Sequence, residues 1–292
     1  MLKSGNHPAA AGRPVVAAIG GSDPSAGAGI QADLKTIHGL GAYAVTVVTS
    51  VTAQTSAAVR AAEDVTPGIV REQLEAIFLD FPIAAVKAGM LGTGEIVTVV
   101  ADFLVHLSAT GDRGRPILVV DPVITSTGGV RRLLDDSGVD ALKRRLLPLS
   151  SVCTPNWDEA RALSGRGIGS LEDALLAAQA IRALGVEAVL ITGGQGPGEE
   201  SVDLLVTRSG SRRFSAPRFP IDPHGTGCAL ASALATGLAA GQPLEVAVER
   251  AKRFVTEAIR SALPFTRGKP ILDHGGAGAR VRAEGQGKEG RE

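Results

Sequence analysis

His224-Gly225-Thr226-Gly227-Cys228 sets two glycines, a hydroxyl and a thiol directly ahead of the small apolar series Ala229-Leu230-Ala231-Ser232-Ala233-Leu234-Ala235. The series reads as a buried helix. The first N–H groups of a helix lack intrahelical partners, and its dipole places roughly half a positive charge at that end. A turn of this kind holds an anion, most often a phosphate. A thiol at a helix N-terminus is expected to have a lowered pKa and to meet a substrate as thiolate, whereas a cysteine taken alone is most often a small buried hydrophobe. Gly225, Thr226, Gly227 and Cys228 are thus the candidate catalytic group, and phosphoryl transfer is the chemistry they point to.

The elements that must position this turn follow from apolar periodicity. Short β-rich runs recur at Val15–Ile19, Ala44–Val48, Ala84–Lys87, Ile117–Val120 and Ala188–Thr192. Helical patterns lie between them: Gly29 to Gly39, Pro67 to Phe78, and a capping box at Ser170–Asp173 that opens a helix to Leu184. Ala247, Ala251, Phe254, Val255, Ala258 and Ala262 form one face of a last helix. Nearly all-apolar strands, each followed by a helix, imply an α/β fold with a parallel sheet covered on both faces. Val202–Val206 and Arg212–Ser215 read instead as a late antiparallel hairpin.

In such sheets ligands bind beyond the C-terminal ends of the strands. That rule selects the loop Gly20–Gly29, then Thr52-Ala53-Gln54, Gly89-Met90, Asp121-Pro122-Val123 and Thr154-Pro155-Asn156. Asp33, early in the first helix, either faces a ligand or is a first-turn acid suited to the dipole. Asp121 is a turn residue or a Mg²⁺ ligand. Asn156 and Glu159 have capping-box spacing, which is compatible with Glu159 also meeting a magnesium ion. Gln54 and Met90 supply an amide and a thioether suited to a flat heteroaromatic ring. Gly27-x-Gly29-x-x-Ala32 matches the dinucleotide fingerprint loosely, but Ser50 to Ser56 contains no acid to bind a ribose. The chain has no GxxxxGK[ST] and no GxSxG, and its five histidines are scattered, so a P-loop, a serine-hydrolase elbow and a dedicated zinc site are all unsupported.

Thirty basic and thirty acidic residues cancel, which argues against a broad footprint for nucleic acid or an anionic membrane. Cys153 and Cys228 lie far apart and form no disulfide framework, so a reducing, cytoplasmic setting is expected. No apolar run is long enough to span a membrane. Residues 1–13 and 274–292 lack apolar periodicity and are expected to be flexible tails around a single domain, 14–273.

Taken in order, the segments Gly20–Thr36, Thr52-Ala53-Gln54, Lys87-Ala88-Gly89-Met90-Leu91, Asp121-Pro122-Val123, Thr154-Pro155-Asn156-x-x-Glu159-Ala160 and His224–Cys228 resemble the hydroxymethylpyrimidine/phosphomethylpyrimidine kinases of thiamine biosynthesis. The resemblance implies a ribokinase-like three-layer sandwich, a homodimer, and ATP- and Mg²⁺-dependent phosphorylation of 4-amino-5-hydroxymethyl-2-methylpyrimidine and then of its monophosphate. It places the ring among Gly21, Asp33, Gln54, Met90 and Val123, with its hydroxymethyl group toward Cys228. It assigns magnesium to Asp121 and Glu159, and the nucleotide to Asn156, Glu159, Thr192 and Gly194. A pyridoxal kinase and a catalytically weak pyrimidine-binding regulator are the alternative readings. The sequence departs from the family pattern where a lysine-containing flap is replaced by Ile124–Gly129, and where Thr192-Gly193-Gly194-Gln195 stands for Lys-Gly-Gly-His. Lys87 and Arg131 are the cations available to compensate.

Overall fold

The computed structural model describes residues 12–110, 115–126, 131–196 and 198–289, with side chains of the last helix described to Ala283. The first half runs β1 (Val15–Ser22), α1 (Gly29–Gly39), β2 (Tyr43–Gln54), β3 (Val59–Asp64), α2 (Pro67–Asp80), β4 (Ile83–Ala88), α3 (Gly94–Thr110) and β5 (Ile117–Val120). The second continues with α4 (Asp136–Ala141), β6 (Val152–Cys153), α5 (Trp157–Ser164), α6 (Leu171–Arg182), β7 (Ala188–Ile191), β8 (Glu200–Thr207), β9 (Gly210–Pro217), α7 (Thr226–Ala239), α8 (Leu244–Arg260) and α9 (His274–Glu289). The strands form one sheet in the order β3-β2-β1-β4-β5-β6-β7-β8-β9. Its centre, β2 through β7, is parallel, and β3, β8 and β9 join it antiparallel.

Alternation along the central strands builds two cores. In β1, Val15, Ala17 and Ile19 face the layer that includes α2, α3, α5 and α6, while Val16 and Ala18 face the layer of α1, α7, α8 and α9. β5 divides in the same way, with Leu118 and Val120 on one side and Val119 on the other. Both faces are buried, as a parallel sheet requires. The result is the three-layer sandwich read from the sequence.

Helix α7 is the element that fixes the site. Every residue from Ala229 to Leu238 is buried, so the helix is apolar all round and wedged between the sheet and α8. Small side chains permit that approach. A Cβ on Gly237, for example, would lie 2.7 Å from Gln242 Oε1 and 3.1 Å from Ala247 Cβ. A helix packed on all sides holds its N-terminus rigidly at the C-terminal edge of the sheet.

Two expectations are corrected here. The segment after Asp273 is no loose tail: α9 buries His274, Ala277 and Val281 against the layer of α1 and α8, which makes α8 the penultimate helix. One of its glycines, a residue that lowers helix propensity, serves the packing: a Cβ on Gly278 would lie 2.4 Å from Gly39 O. Strand β3 was also not read from the sequence. It pairs on one edge only and is largely exposed, so no apolar alternation marks it. Of the N-terminal tail, residues 1–11 lie outside the described residues.

Candidate active site

The turn before α7 is locked by backbone geometry. Gly225 has φ +89°, in the left-handed region, and a Cβ there would fall 1.8 Å from Gly27 O. Only glycine lets the turn seat against the first loop. The His224 N–H donates to Pro270 O at 2.9 Å, which ties the other side of the turn. The N–H groups of Thr226, Gly227 and Cys228 are then the open first turn of α7, aimed into a crevice of about 610 Å³.

All fourteen candidate site residues line that crevice. Gly21, Asp33, Gln54, Met90 and Val123 stand in one part; Asp121, Asn156, Glu159, Thr192 and Gly194 line it with the turn residues Gly225 to Cys228. A second cavity of about 450 Å³ adjoins it, and Thr192, Gly194, Thr226 and Gly227 line both. The strand-end rule accounts for this convergence, since all these loops leave the sheet at the same edge.

The first loop is organised by Asp23. Its carboxylate accepts from the Ser25 N–H (2.8 Å), the Ser25 hydroxyl (2.9 Å) and the Ala28 N–H (2.8 Å) and lies 2.9 Å from His224 Nε2. Burial acts to raise this carboxyl, but the hydrogen bonds from His224, Ala28 and Ser25 together hold it below the usual range. His224 Nε2 also lies 2.8 Å from the Gln54 amide, so the histidine of the anion turn links the β1 loop to the end of β2. The other side of that amide, its oxygen, accepts from the Thr52 hydroxyl at 3.3 Å. Gly21 leaves room for Met90: a Cβ there would come within 2.9 Å of the sulfur. The pair presents bare backbone and a thioether side by side, a flat apolar floor.

Under the crevice lies an ion cluster. Lys87 is 1% exposed, and its Nζ lies 3.1 Å from both Asp33 oxygens and 3.4 Å from Asp121 Oδ2. The Ser232 hydroxyl of α7 donates to Asp33 Oδ1 at 2.6 Å. Burial disfavours the ammonium, yet Asp33, Cys228 and Asp121 hold its pKa above the ordinary lysine value, so it stays charged. Asp33 is fully buried, and both of its oxygens are occupied by Lys87 and Ser232. It therefore braces α1, β4 and α7 from below the crevice. Lys87 likewise has its charge consumed by carboxylates. Arg131 does not line the crevice, and its guanidinium donates to Arg60 O at 3.1 Å.

Cys228 sits in partial contact with the crevice, but its thiol is not lowered. Burial pushes it up to about 12, with Asp121 and Asp33 acting in the same direction and Lys87 and the Gly29 N–H acting against them. Desolvation outweighs the pull of the Lys87 ammonium and the Gly29 N–H, so the resting group is a neutral thiol rather than the thiolate expected from its position.

On the opposite wall Asn156 caps α5 through both arms of a capping box: the Glu159 N–H donates to Asn156 Oδ1 (3.0 Å) and the Asn156 N–H to Glu159 Oε2 (2.9 Å). Glu159 is nonetheless buried, and burial followed by repulsion from Asp121 pushes its carboxyl well above the ordinary value. Asp121 Oδ2 is buried without a hydrogen bond. Asp33 and Asp121 thus share the Lys87 ammonium, and Glu159 adds a third buried carboxylate beside Asp121. That surplus of negative charge fits a divalent cation. Among the described residues no group of three His, Cys, Asp or Glu side chains is placed to hold a metal ion.

Several contributors were not singled out by motif. Asp23 is part of an Asp-Pro-Ser turn, a local signal for an Asx turn. Lys87 stands inside the apolar run Ala84-Ala85-Val86-Lys87-Ala88, where a lysine demands a buried partner. Asp203 and Lys252, paired at 2.9 Å in the wall of the second cavity, come from separate elements and leave no sequence signal.

Among the described residues no helix is long and apolar enough to cross a membrane. The chain matches the phosphomethylpyrimidine kinase family over residues 23–273. It is 43% identical over 265 residues to the hydroxymethylpyrimidine/phosphomethylpyrimidine kinase of Streptomyces coelicolor, a match covering 90% of this chain and 95% of that one. It is also 43% identical over 263 residues to the thiamine biosynthesis bifunctional protein ThiED of Geobacter sulfurreducens, where the match covers 90% of this chain and 52% of the relative, about half its length. The solved pyridoxal kinase of Bacillus subtilis, an ADP complex, superposes with a TM-score of 0.81 at 30% identity over 92% of this chain and 99% of that chain. With its anion turn, its capped Asn156-x-x-Glu159 and its two adjoining cavities in place, the chain belongs to the phosphomethylpyrimidine kinase family and has a ribokinase-like fold.

Proposed function

We propose that this protein phosphorylates 4-amino-5-hydroxymethyl-2-methylpyrimidine and then its monophosphate with ATP, supplying the diphosphate for thiamine biosynthesis. The observation that carries this reading is the shared crevice: the Gly21–Met90 floor and Gln54 stand in the same cavity as the first turn of α7 and Cys228. A flat ring stacks against the thioether, and the Gln54 amide meets its polar edge. The hydroxymethyl oxygen then faces Cys228. The triphosphate extends past Thr226 and Gly227 toward Thr192 and Gly194, and the base occupies the adjoining cavity of about 450 Å³.

The hydroxyl oxygen forms a bond to the γ-phosphorus as the bond to the β,γ-bridging oxygen breaks, ADP departs, and the hydroxyl proton passes to an oxygen of the transferred phosphoryl group. N–H groups of the α7 turn stabilise charge on the transferring phosphoryl group. Cys228, a neutral thiol at rest, orients the hydroxyl. Because bond formation lags in a loose transition state, positioning contributes more than a strong base would. Asp121 and Glu159 would hold magnesium, which neutralises phosphate charge when bound. In the second phosphorylation the substrate phosphate replaces the hydroxyl as nucleophile.

The same reading includes a reducing cytoplasm, consistent with the free thiols Cys153 and Cys228, and a homodimer, which rests on family resemblance. A coupled assay of ADP release with hydroxymethylpyrimidine, followed by mass analysis for mono- and diphosphate, tests the proposal. A second reading, pyridoxal phosphorylation, draws on the likeness to the Bacillus subtilis enzyme. Preference for pyridoxal by about an order of magnitude in kcat/KM would overturn the first in favour of the second.

A further inference from the structure

Arg218, immediately after β9, spends its whole guanidinium on one loop backbone. Nε donates to Gly198 O (2.9 Å) and Nη1 to Gly194 O (2.6 Å), while Nη2 faces Gly196 O (2.7 Å), Gly193 O (3.1 Å) and Glu200 O (3.1 Å). The Arg218 N–H adds a bond to Glu199 O at 2.9 Å. A guanidinium carries five N–H donors in a fixed plane, and here five carbonyls surround it.

The loop so gathered joins β7 to β8 and has glycine at 193, 194, 196 and 198, so side chains contribute little to its shape and its freedom when unheld is large. Two further ties flank the guanidinium. The Gly193 N–H donates to Asp203 Oδ1 at 2.7 Å, and Gln195 bonds both the backbone and the carboxylate of Asp158 at the start of α5. Through Gly194 this loop lines both cavities and forms part of the wall between them. A polyphosphate passing along that wall would be repelled by carbonyl oxygens aimed at it. Turning five of them onto Arg218 removes that repulsion before any ligand arrives.

Resting on the nucleotide placement proposed above, we infer that Arg218, which itself borders the second cavity, is a positioning residue that pre-orders the β7–β8 loop and so sets nucleotide affinity. The loop lacks the lysine of the family pattern at Thr192, so its backbone order carries more of the nucleotide contact.

Calorimetric binding of ADP, together with steady-state kinetics, tests this on Arg218→Lys and Arg218→Met. Lysine keeps a charge and a stem but cannot reach five carbonyls in a plane, so both variants are expected to lose about tenfold in ADP affinity and to raise the KM for ATP by about tenfold. Saturating kcat and the KM for the pyrimidine should change by less than about threefold. Added guanidinium ion at low millimolar concentration should restore ADP binding to Arg218→Met, a rescue that a general loss of stability would not give. If the Met variant fails to fold, Arg218→Lys decides. Wild-type affinity in a folded variant overturns the inference alone, and failure of the wild-type protein to bind ADP overturns the nucleotide site and this inference together.

Discussion

Lys87 and Asp33 form a two-pronged ion pair, with Nζ 3.1 Å from both carboxylate oxygens, between the end of β4 and the first turns of α1. Ser232 and Asp121 join it to α7 and β5, so the floor of the crevice is one electrostatic unit. Removing one partner of such a buried pair costs about 3–5 kcal/mol, because the other charge is left uncompensated. Lys87→Met is therefore expected to be severely destabilised. Asp33→Asn combined with Lys87→Met should lose less than the sum of the single changes. A double-mutant cycle by urea unfolding checks this, and additive losses would show that the two groups are not coupled.

Cys228 is expected to behave as a hindered, protonated thiol. Its reaction with iodoacetamide should be slow at neutral pH and rise about tenfold per pH unit toward a plateau near 12. Cys153, fully buried, should stay unmodified in the folded protein. Cys228→Ala should lower kcat by about tenfold or more with little change in the KM for ATP, the pattern of a group acting on the acceptor. An unchanged kcat would leave catalysis to the backbone turn alone.

Glu159→Gln separates stability from function. The carboxylate is buried beside Asp121, an arrangement that disfavours its charge, whereas a glutamine oxygen still accepts from the Asn156 N–H. At neutral pH without magnesium the variant should melt higher than wild type by a few degrees, corresponding to about 1 kcal/mol. Magnesium should raise the wild-type melting temperature and leave the variant unmoved. Scanning fluorimetry with and without MgCl₂ distinguishes these outcomes, and a lower melting temperature for the variant would count against the charge conflict.

His274 should make the protein acid-sensitive. Burial, with Lys35 nearby, lowers its pKa from 6.5 to about 4. The unfolded chain therefore binds a proton more readily than the folded one between these values. Stability is full above about 6.5 and falls as pH drops toward about 4, by up to about 3 kcal/mol from this residue. His274→Gln cannot take up that proton, so urea midpoints measured across the window should show a shallower slope. An identical slope would place the acid sensitivity elsewhere.

The sequence by itself determined what depends on neighbours along the chain. Gly225 and Gly227 ahead of an unbroken run of small residues announce an anion turn on a buried helix, because both signals are local. Asn156 and Glu159 announce a cap for the same reason, and the all-apolar strands announce a parallel sheet with its ligand edge. Folding then brought all fourteen of the singled-out positions to one crevice.

Tertiary structure decided what depends on distance and burial. Asp33 lies 54 residues from Lys87, and only packing turns an apparent ligand-facing acid into the brace beneath the site. The thiol of Cys228 was expected to ionise readily at a helix N-terminus, but the protein around it raises its pKa, a balance of desolvation against nearby charge that spacing cannot express. Helix α9 looked like a glycine-rich tail until Gly278 met Gly39, and Arg218 looked like any arginine after a strand until five carbonyls turned toward it. Local chemistry names the candidates; the dielectric and the partners that set their charge states exist only once the chain is folded.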